Sequence, residues 1–396
     1  MKVNITKRIW ILSIISLFTD IASEMLYPVM PIYLKEIGFS IFLIGLLEGI
    51  AEAVAGLSKG YFGQLSDKYQ KRVPFVRIGY TISAVAKPLL AAFVNPIWIF
   101  FVRTSERLGK GVRTAARDAL LSDDATPQTK GKIFGFHRAF DTLGAAIGPL
   151  LALVFLYFYQ GQYKLLFILA IVPGFFAILL TFFLKDEKQS IYPENKKQNV
   201  TFLSFLRYLK SSSQSYKLVV AGLLFFALFN SSDVFLLLKG KEVGLNDTEV
   251  IGVYVFYNIV YALFSFPFGA IADRIGLKRV LVFGLFVFSF VYFVLSTKFS
   301  LPIYFAMFFL YGLYAAATEG VSKALISNIA DKSEVATAIG TFTAFQSVCT
   351  LLASTITGVL WAKFNAGVAL IVTSVASLMV AFYFIFFVKI KSIEQE

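Results

Sequence analysis

The chain has 396 residues, 58% of them apolar and only 15% charged, with a mean hydropathy of +0.74 and a net charge of +13. Soluble domains run nearer 45–50% apolar and 25% charged, so the composition argues against a water-soluble globule. It also sets disorder aside, because this much apolar surface has to be buried somewhere.

About 20 apolar residues cross a bilayer core, so twelve spans would take about 240 residues and leave about 150 for loops and tails. Apolar runs separated by Gly, Pro or charge predict spans at 8–37, 41–66, 74–94, 96–121, 131–158, 163–184, 216–240, 248–271, 276–297, 301–328, 334–361 and 367–388. The first run follows a short basic stretch, has no small-residue cleavage signal and is too long for a signal-peptide core, so it reads as an uncleaved span. Between the sixth and seventh spans lies a polar linker, 185–215, with Tyr192, Pro193, Glu194, Asn195, Lys196 and Lys197. Inside it, Phe202 to Lys210 has an apolar and a basic face and reads as an interfacial helix on the cytoplasmic leaflet.

In a soluble protein the basic excess would suggest nucleic acid. Here Lys2, Lys7 and Arg8, then Lys68, Lys71 and Arg72, then Lys185, Lys188, Lys196 and Lys197, then Arg274, Lys278 and Arg279, then Lys389 and Lys391 fall in alternate loops. That is the positive-inside pattern, and it places both termini in the cytoplasm. No nucleic-acid partner is expected. Cys349 stands alone, which excludes an internal disulfide and a thiolate zinc cluster, and the single His137 argues against a histidine metal site.

The two halves repeat at an offset of 206. Lys35-Glu36-Ile37-Gly38 falls on Lys241-Glu242-Val243-Gly244, Phe62-Gly63 on Phe268-Gly269, and Asp67 on Asp273. Pro96-Ile97-Trp98 falls on Pro302-Ile303-Tyr304, and Arg117 on Lys323. Six-helix halves in parallel repeat describe one large class of secondary transporters, whose substrate site lies between the halves near mid-membrane.

Two loops carry the most specific signal. Gly63-Gln64-Leu65-Ser66-Asp67-Lys68-Tyr69-Gln70-Lys71-Arg72 follows the second span, and Gly269-Ala270-Ile271-Ala272-Asp273-Arg274-Ile275-Gly276-Leu277-Lys278-Arg279 follows the eighth. Glycine lets two helices approach closely. The carboxylate can take helix N-terminal N–H groups or a neighbouring arginine, and the basic tail can anchor at an anionic leaflet. Both loops resemble the Gly-x-Leu-Ala-Asp-Arg-x-Gly-Arg-Lys signature of the major facilitator superfamily, the second more closely, since Gln70 stands where the first should have Gly. The resemblance makes Gly63, Asp67, Lys68, Arg72, Gly269, Asp273 and Arg274 a gating motif. Arg107-Leu108-Gly109-Lys110-Gly111 in the fourth span resembles the family's Arg-x-x-Gln-Gly element, with Lys110 for Gln, and in the superfamily that arginine is tied to proton coupling. Gly144-Ala145-Ala146-Ile147-Gly148-Pro149 in the fifth span resembles the Gly-Pro motif of proton-driven exporters. It lacks the later glycines, and its spacing also suits ordinary helix packing.

Charges at membrane depth cost at least about 2.5–3.5 kcal/mol each on insertion scales, so they tend to face a cavity. Asp20 and Glu24 share a face of the first span, Glu48, Glu52 and Lys59 recur on the second, and Lys87 lies in the third. Arg103, Arg107 and Lys110 form a basic stripe on the fourth beside Glu106, and Asp141 lies in the fifth one turn after His137. Stripes like these fit a static salt-bridge scaffold or a proton-coupling network. Asp20, Glu24, Glu48, Glu52, Arg103, Arg107, Lys110 and Asp141 are the candidates for coupling. In the second half the repeat partners of Asp20, Arg103 and Arg107 are Phe226, Phe309 and Leu313. What remains there is polar and aromatic. Tyr27, Asn230, Asp233, Tyr254, Tyr257, Asn258, Tyr261 and Glu319 are the candidate substrate contacts, with belt or core packing as the other reading of the tyrosines.

Other motifs carry no chemistry. Gly56-Leu57-Ser58-Lys59-Gly60 has the hydrolase-elbow spacing inside an apolar helix, and no Gly-x4-Gly-Lys-Ser/Thr phosphate loop occurs. The expectation is an all-α integral membrane protein with twelve transmembrane helices in two pseudo-symmetric halves, 1–184 and 216–396, joined by the cytoplasmic linker 185–215. It is expected to be a multi-pass protein of the cell membrane, monomeric, with no cofactor and no metal. Its role would be secondary active transport of a small organic solute by alternating access, coupled to protons, with the Gly-Pro element favouring efflux. A symporter for an anionic or zwitterionic nutrient, a uniporter, a metal-cation carrier and a non-transporting receptor are the alternatives. An enzyme is not expected.

Overall fold

The computed structural model describes residues 5–186, 200–242, 244–297 and 300–389, and among these it contains helices and no strand. The first span is α1 (Lys7–Glu24) and α2 (Met30–Glu36), followed by α3 (Ile41–Tyr69), α4 (Val73–Leu89), α5 (Pro96–Asp123) and α6 (Lys130–Phe158). The sixth span is α7 (Tyr163–Leu169) and α8 (Ile171–Thr181). After a single turn of α9 (Tyr208–Ser211), the seventh span is α10 (Gln214–Ala227) and α11 (Val234–Glu242). The remainder are α12 (Asp247–Ile275), α13 (Leu277–Ser296), α14 (Leu301–Ile329), α15 (Val335–Lys363) and α16 (Ala366–Phe386).

Local chemistry starts these helices. Thr6, Ser40 and Asn95 accept N–H groups of the first turns of α1, α3 and α5, and Asn246 with Glu249 forms a capping box on α12. Three expected spans are broken. Pro28 lies in the gap between α1 and α2, where its missing N–H and fixed φ end a helix. Asn230-Ser231-Ser232-Asp233 interrupts the seventh, because short polar side chains compete for backbone groups. The sixth turns at Ala170, just before Pro173.

The repeat is structural. α3 runs 41–69 and α12 runs 247–275, both ends displaced by 206. The equivalent turns at Gly38 and Gly244 share a left-handed backbone, with φ of +94° and +99°.

Among the described residues, seven spans are long and apolar enough to cross a bilayer on composition alone, including α6 and α12 to α16. α3 and α5 are not, because they carry the charges, and α4, at 17 residues, is too short.

The chain divides into two compact units, and each takes one segment from the other half of the sequence. Unit 1 is Met1–Asp124, Phe140–Ser211 and Asp331–Ala344. Within it α5 packs on α3 and α4, and α8 packs on α1 and α4. Its apolar core joins Leu26, Met30, Leu34, Leu90, Val102 and Phe167. Unit 2 is Ala125–Ala139, Ser212–Ala330 and Phe345–Glu396. There α13 packs on α14 and α16, and α12 on α14.

Part of the expected linker, residues 187–199 with Tyr192, Pro193, Glu194, Asn195, Lys196 and Lys197, lies outside the described residues. The stretch expected as one interfacial helix is instead a 3-10 turn, Ser204–Arg207, followed by α9. Its buried side belongs to unit 1: the Phe205 ring lies against Gly60 of α3, where a Cβ would collide with it. Phe202, Leu203 and Leu206 stay exposed.

Candidate functional site

In unit 1 the charges meet on α5. A Cβ on Gly109 would strike Ser83 and the Gly79 carbonyl of α4, and one on Gly111 would strike Ser58 and the Ala55 carbonyl of α3. The glycines therefore let α5 press between two neighbours. Arg103, Arg107, Lys110 and Arg117 recur along it at helical spacing.

Arg103 grips Glu48 of α3 through Nε at 2.8 Å and Nη2 at 3.0 Å, and its Nη1 donates to Glu106 at 2.9 Å. Arg107 stands 3.6 Å from Glu48 and 3.9 Å from both Glu52 and Glu106. Lys87 of α4, fully buried, lies 3.9 Å from Glu106 and donates to the Ser83 carbonyl at 2.8 Å. Three cations thus surround Glu106, which offsets the cost of burying its charge. Glu52, by contrast, keeps 47% of its side chain exposed.

Further along α5 a second cluster forms. Asp141 of α6 accepts from the Ser16 hydroxyl of α1 at 2.5 Å and lies 3.7 Å from Arg117. Arg117 donates to Asp118 at 2.9 and 3.0 Å. Asp20 is in hydrogen-bond contact with Asp141, and the Lys110 charge acts on Asp20, Glu24 and Glu52. The Gly-Pro element explains why α1 lies so close. A Cβ on Gly144 would strike Asp20 Cβ and the Leu17 carbonyl, and one on Gly148 would strike Glu24 Cβ. These glycines lay both acids of α1 against α6.

The duplicated loops form two clamps. In unit 1, Asp67 accepts from the backbone N–H groups of Ala336 and Thr337 at 3.4 and 2.5 Å and from the Thr337 hydroxyl at 2.6 Å. These groups open α15, so the carboxylate sits at a helix N-terminus. Arg72, 3% exposed, lies 2.5 Å from Asp67. In unit 2, Asp273 accepts from the backbone N–H groups of Gly131 and Lys132 at 2.7 and 2.8 Å, in the first turn of α6. Lys68 lies 5.8 Å from the Tyr69 ring, and Arg274 is exposed.

Unit 2 otherwise gathers tyrosines. Tyr254, Tyr257 and Tyr261 follow one face of α12 with centroids 6.2 and 6.0 Å apart, and Tyr257 lies 5.0 Å from Tyr311 of α14. The Tyr311 hydroxyl donates to Asp233 at 2.7 Å, and Asn230 donates to the Tyr314 hydroxyl at 3.0 Å. Asn258 is buried, and its amide donates to the Tyr254 carbonyl of its own helix at 2.9 Å. Tyr27 belongs to unit 1, exposed at the break between α1 and α2. Among the described residues, no group of three His, Cys, Asp or Glu side chains is placed to hold a metal.

Arg138 is a residue that sequence reasoning missed. Its guanidinium lies 5.2 Å from the Tyr261 ring centroid and 3.8 Å from Glu319, and its Nε donates to the Tyr261 hydroxyl. The signal available was one more charge inside a span. Arg113 was missed too: it donates to Ser83 at 2.6 Å and stacks over Tyr80 at 4.5 Å.

The sequence model of the Major Facilitator Superfamily matches residues 12–255 and 234–396. The chain is 34% identical over 369 residues to an uncharacterized MFS-type transporter of Methanocaldococcus jannaschii, covering 90% of this chain and 89% of the relative. It is 24% identical over 332 residues to the multi-drug resistance efflux pump PmrA of Streptococcus pneumoniae, covering 80% of each. The fold is similar to that of the human organic anion transporter MFSD10, with a TM-score of 0.79 at 15% identity, covering 95% of this chain and 98% of the other. It is also similar to the Escherichia coli fucose:proton symporter FucP, with a TM-score of 0.76 at 12% identity, covering 96% and 98%. Duplicated signature loops, the repeated helix order and these likenesses lead to one conclusion: this multi-pass membrane protein belongs to the Major Facilitator Superfamily of transporters and has its fold of twelve transmembrane helices.

Proposed function

We propose that the protein is a proton-coupled secondary transporter that exports a small organic solute by alternating access. Residues 1–184 and 216–396 act as its two six-helix halves, and 185–215 as a cytoplasmic linker. The observation that carries this reading is the contact between Asp20 and Asp141, with Arg117 and Lys110 beside it. Two carboxyl groups can hydrogen-bond only through a proton held by one of them. A proton drives transport only if its binding free energy differs between conformations, and a carboxyl pair pressed together by close helix packing is sensitive to any parting of those helices. Glu48, Glu52, Arg103 and Arg107 extend the same network toward its exposed end.

Efflux rests on the Gly-Pro element and on the similarity to PmrA. Cytoplasmic termini rest on the loop charges. With Cys349 replaced by serine, single cysteines placed at the termini should resist an impermeant thiol reagent applied outside intact cells.

The coupling test uses reconstituted liposomes with an imposed pH gradient, a solute panel and recorded internal pH. Asp141→Asn should abolish uphill transport while leaving solute counterflow, which needs no net proton movement. Wild-type uphill transport in Asp141→Asn, with unchanged pH dependence, would assign the network to scaffolding.

A further inference from the structure

The break between α10 and α11 holds a carboxylate that no cation answers. Among the described residues Asp233 forms no ion pair, and the charge acting on it is that of another acid, Glu319. It accepts the Tyr311 hydroxyl at 2.7 Å. Two further hydroxyls converge beside it. Tyr292 of α13, wholly buried, faces the hydroxyls of Tyr311 and Ser231. The Tyr292 hydroxyl and that of Ser231, which is 3% exposed, lie within reach of each other, yet neither is satisfied by a hydrogen bond of good geometry. Buried polar groups left unmet are costly and uncommon, so their convergence on an unanswered acid calls for a ligand.

The chemistry of that ligand follows from the groups present. A carboxylate and hydroxyl oxygens all accept hydrogen bonds, and a protonated amine offers two or three N–H donors and a positive charge. The surrounding surface is aromatic: Tyr292 stacks 4.2 Å from Phe288, and Tyr311 lies 5.0 Å from Tyr257. Tyrosine faces attract cations, and their bodies take up apolar substituents. An anionic ligand would meet two acids here, while Arg138 is already engaged by Glu319 and Tyr261.

We propose that Ser231, Asp233, Tyr292 and Tyr311 form a recognition subsite for a primary or secondary alkylammonium. Resting on the transport reading above, this makes an organic amine the class of solute carried.

The test titrates purified full-length protein with 2-phenylethylamine by calorimetry, beside 3-phenylpropionate, 2-phenylethanol and phenethyltrimethylammonium. The amine should bind at least about tenfold more tightly than the anion, the alcohol or the cation without N–H groups. Asp233→Asn should weaken amine binding about 10- to 100-fold, the range for a hydrogen bond to a charged group. Ser231→Ala and Tyr292→Phe should each weaken it several-fold while the ligand-free melting temperature holds or rises, since each removes a poorly satisfied buried group and no well-formed bond. A lower melting temperature with unaltered amine binding would assign both hydroxyls to packing and overturn the proposal. Equal binding of the anion would overturn it as well, as would displacement of the amine by sodium chloride but not by potassium chloride. In liposomes, binding without amine flux refutes the transport reading and leaves the subsite. Flux of other solutes under a pH gradient, with no amine binding, refutes the subsite and leaves transport.

Discussion

Asp67 and Asp273 occupy equivalent places in the repeat, and both carboxylates receive backbone N–H groups from the first turn of a helix contributed by the other half of the chain. What surrounds them differs. Asp67 also takes the Thr337 hydroxyl and a buried arginine at 2.5 Å, and its helix ends on Gln70 in the left-handed region. Asp273 has the two N–H groups, and its helix ends on Gly276 with φ of +107°. The acid and the helix N-terminus are therefore the shared device, and the arginine is an addition in one copy. The better match to the family signature is the more lightly held clamp.

The largest expected effect separates the two acids. Asp67→Asn takes from the buried Arg72 guanidinium its carboxylate at 2.5 Å and leaves it Asp123 at 3.9 Å, a loss below the about 3–5 kcal/mol of a buried charge left wholly unpaired but still larger than for the other acid. Asp273→Asn strips only a charge from a helix N-terminus, about 0.3–1 kcal/mol. Thermal unfolding of both variants in detergent checks the difference. Asp67→Asn should also slow transport much more than it weakens solute binding, because the clamp touches no solute contact proposed here. Equal melting temperatures for the two variants would mean that Arg72 adds nothing.

A second comparison concerns the glycines that let the clamps close. A Cβ on Gly269 would drive into the Gly131 backbone, and one on Gly63 into the Ala336 carbonyl and the Ala115 side chain. Backbone cannot step aside as a flexible side chain can. Gly269→Ala should cost about 1–3 kcal/mol, the range for overpacking. Gly252→Ala, on the same helix with open space around it, should be neutral or gain up to about 1 kcal/mol from helix propensity. Melting temperatures of the pair measure the contact rather than the residue type.

Much of this architecture is legible in the sequence, for reasons that also set the limits. Twelve apolar runs mark twelve spans because bilayer thickness dictates their length. The stripe of Arg103, Arg107 and Lys110 follows from helical period alone. Which acid each arginine grips does not, since Glu48 and Arg103 meet only where Gly111 lets α5 press on α3. Arg138 escapes notice for the same reason: Tyr261 and Glu319 lie more than a hundred residues away in sequence. The Phe202 to Lys210 stretch reads as one amphipathic helix, yet lodging Phe205 over Gly60 leaves it as two short turns. The break in the seventh span was visible as Asn-Ser-Ser-Asp and is easily passed over inside an apolar run.

The smallest expected effect returns to the helix ends. Gln70 has φ of +50° and ψ of +32°, a conformation that costs a residue with a Cβ about 1–2 kcal/mol and costs glycine almost nothing. Its side chain recovers part of this by donating to the Asp67 carbonyl at 2.6 Å and the Ser333 carbonyl at 3.4 Å. Gln70→Gly removes the strain and these bonds together, and a hydrogen bond nets about 0.5–1.5 kcal/mol. The two nearly cancel, so the melting temperature should move by no more than the equivalent of about 0.5 kcal/mol. Gln70→Ala keeps the strain and loses the bonds, and it should be the least stable of the three by about 1 kcal/mol. The order Gln ≈ Gly > Ala would show that glutamine replaces the family's glycine by bonding rather than by conformational freedom. An alanine variant as stable as glutamine would show that the side-chain bonds contribute nothing at this turn.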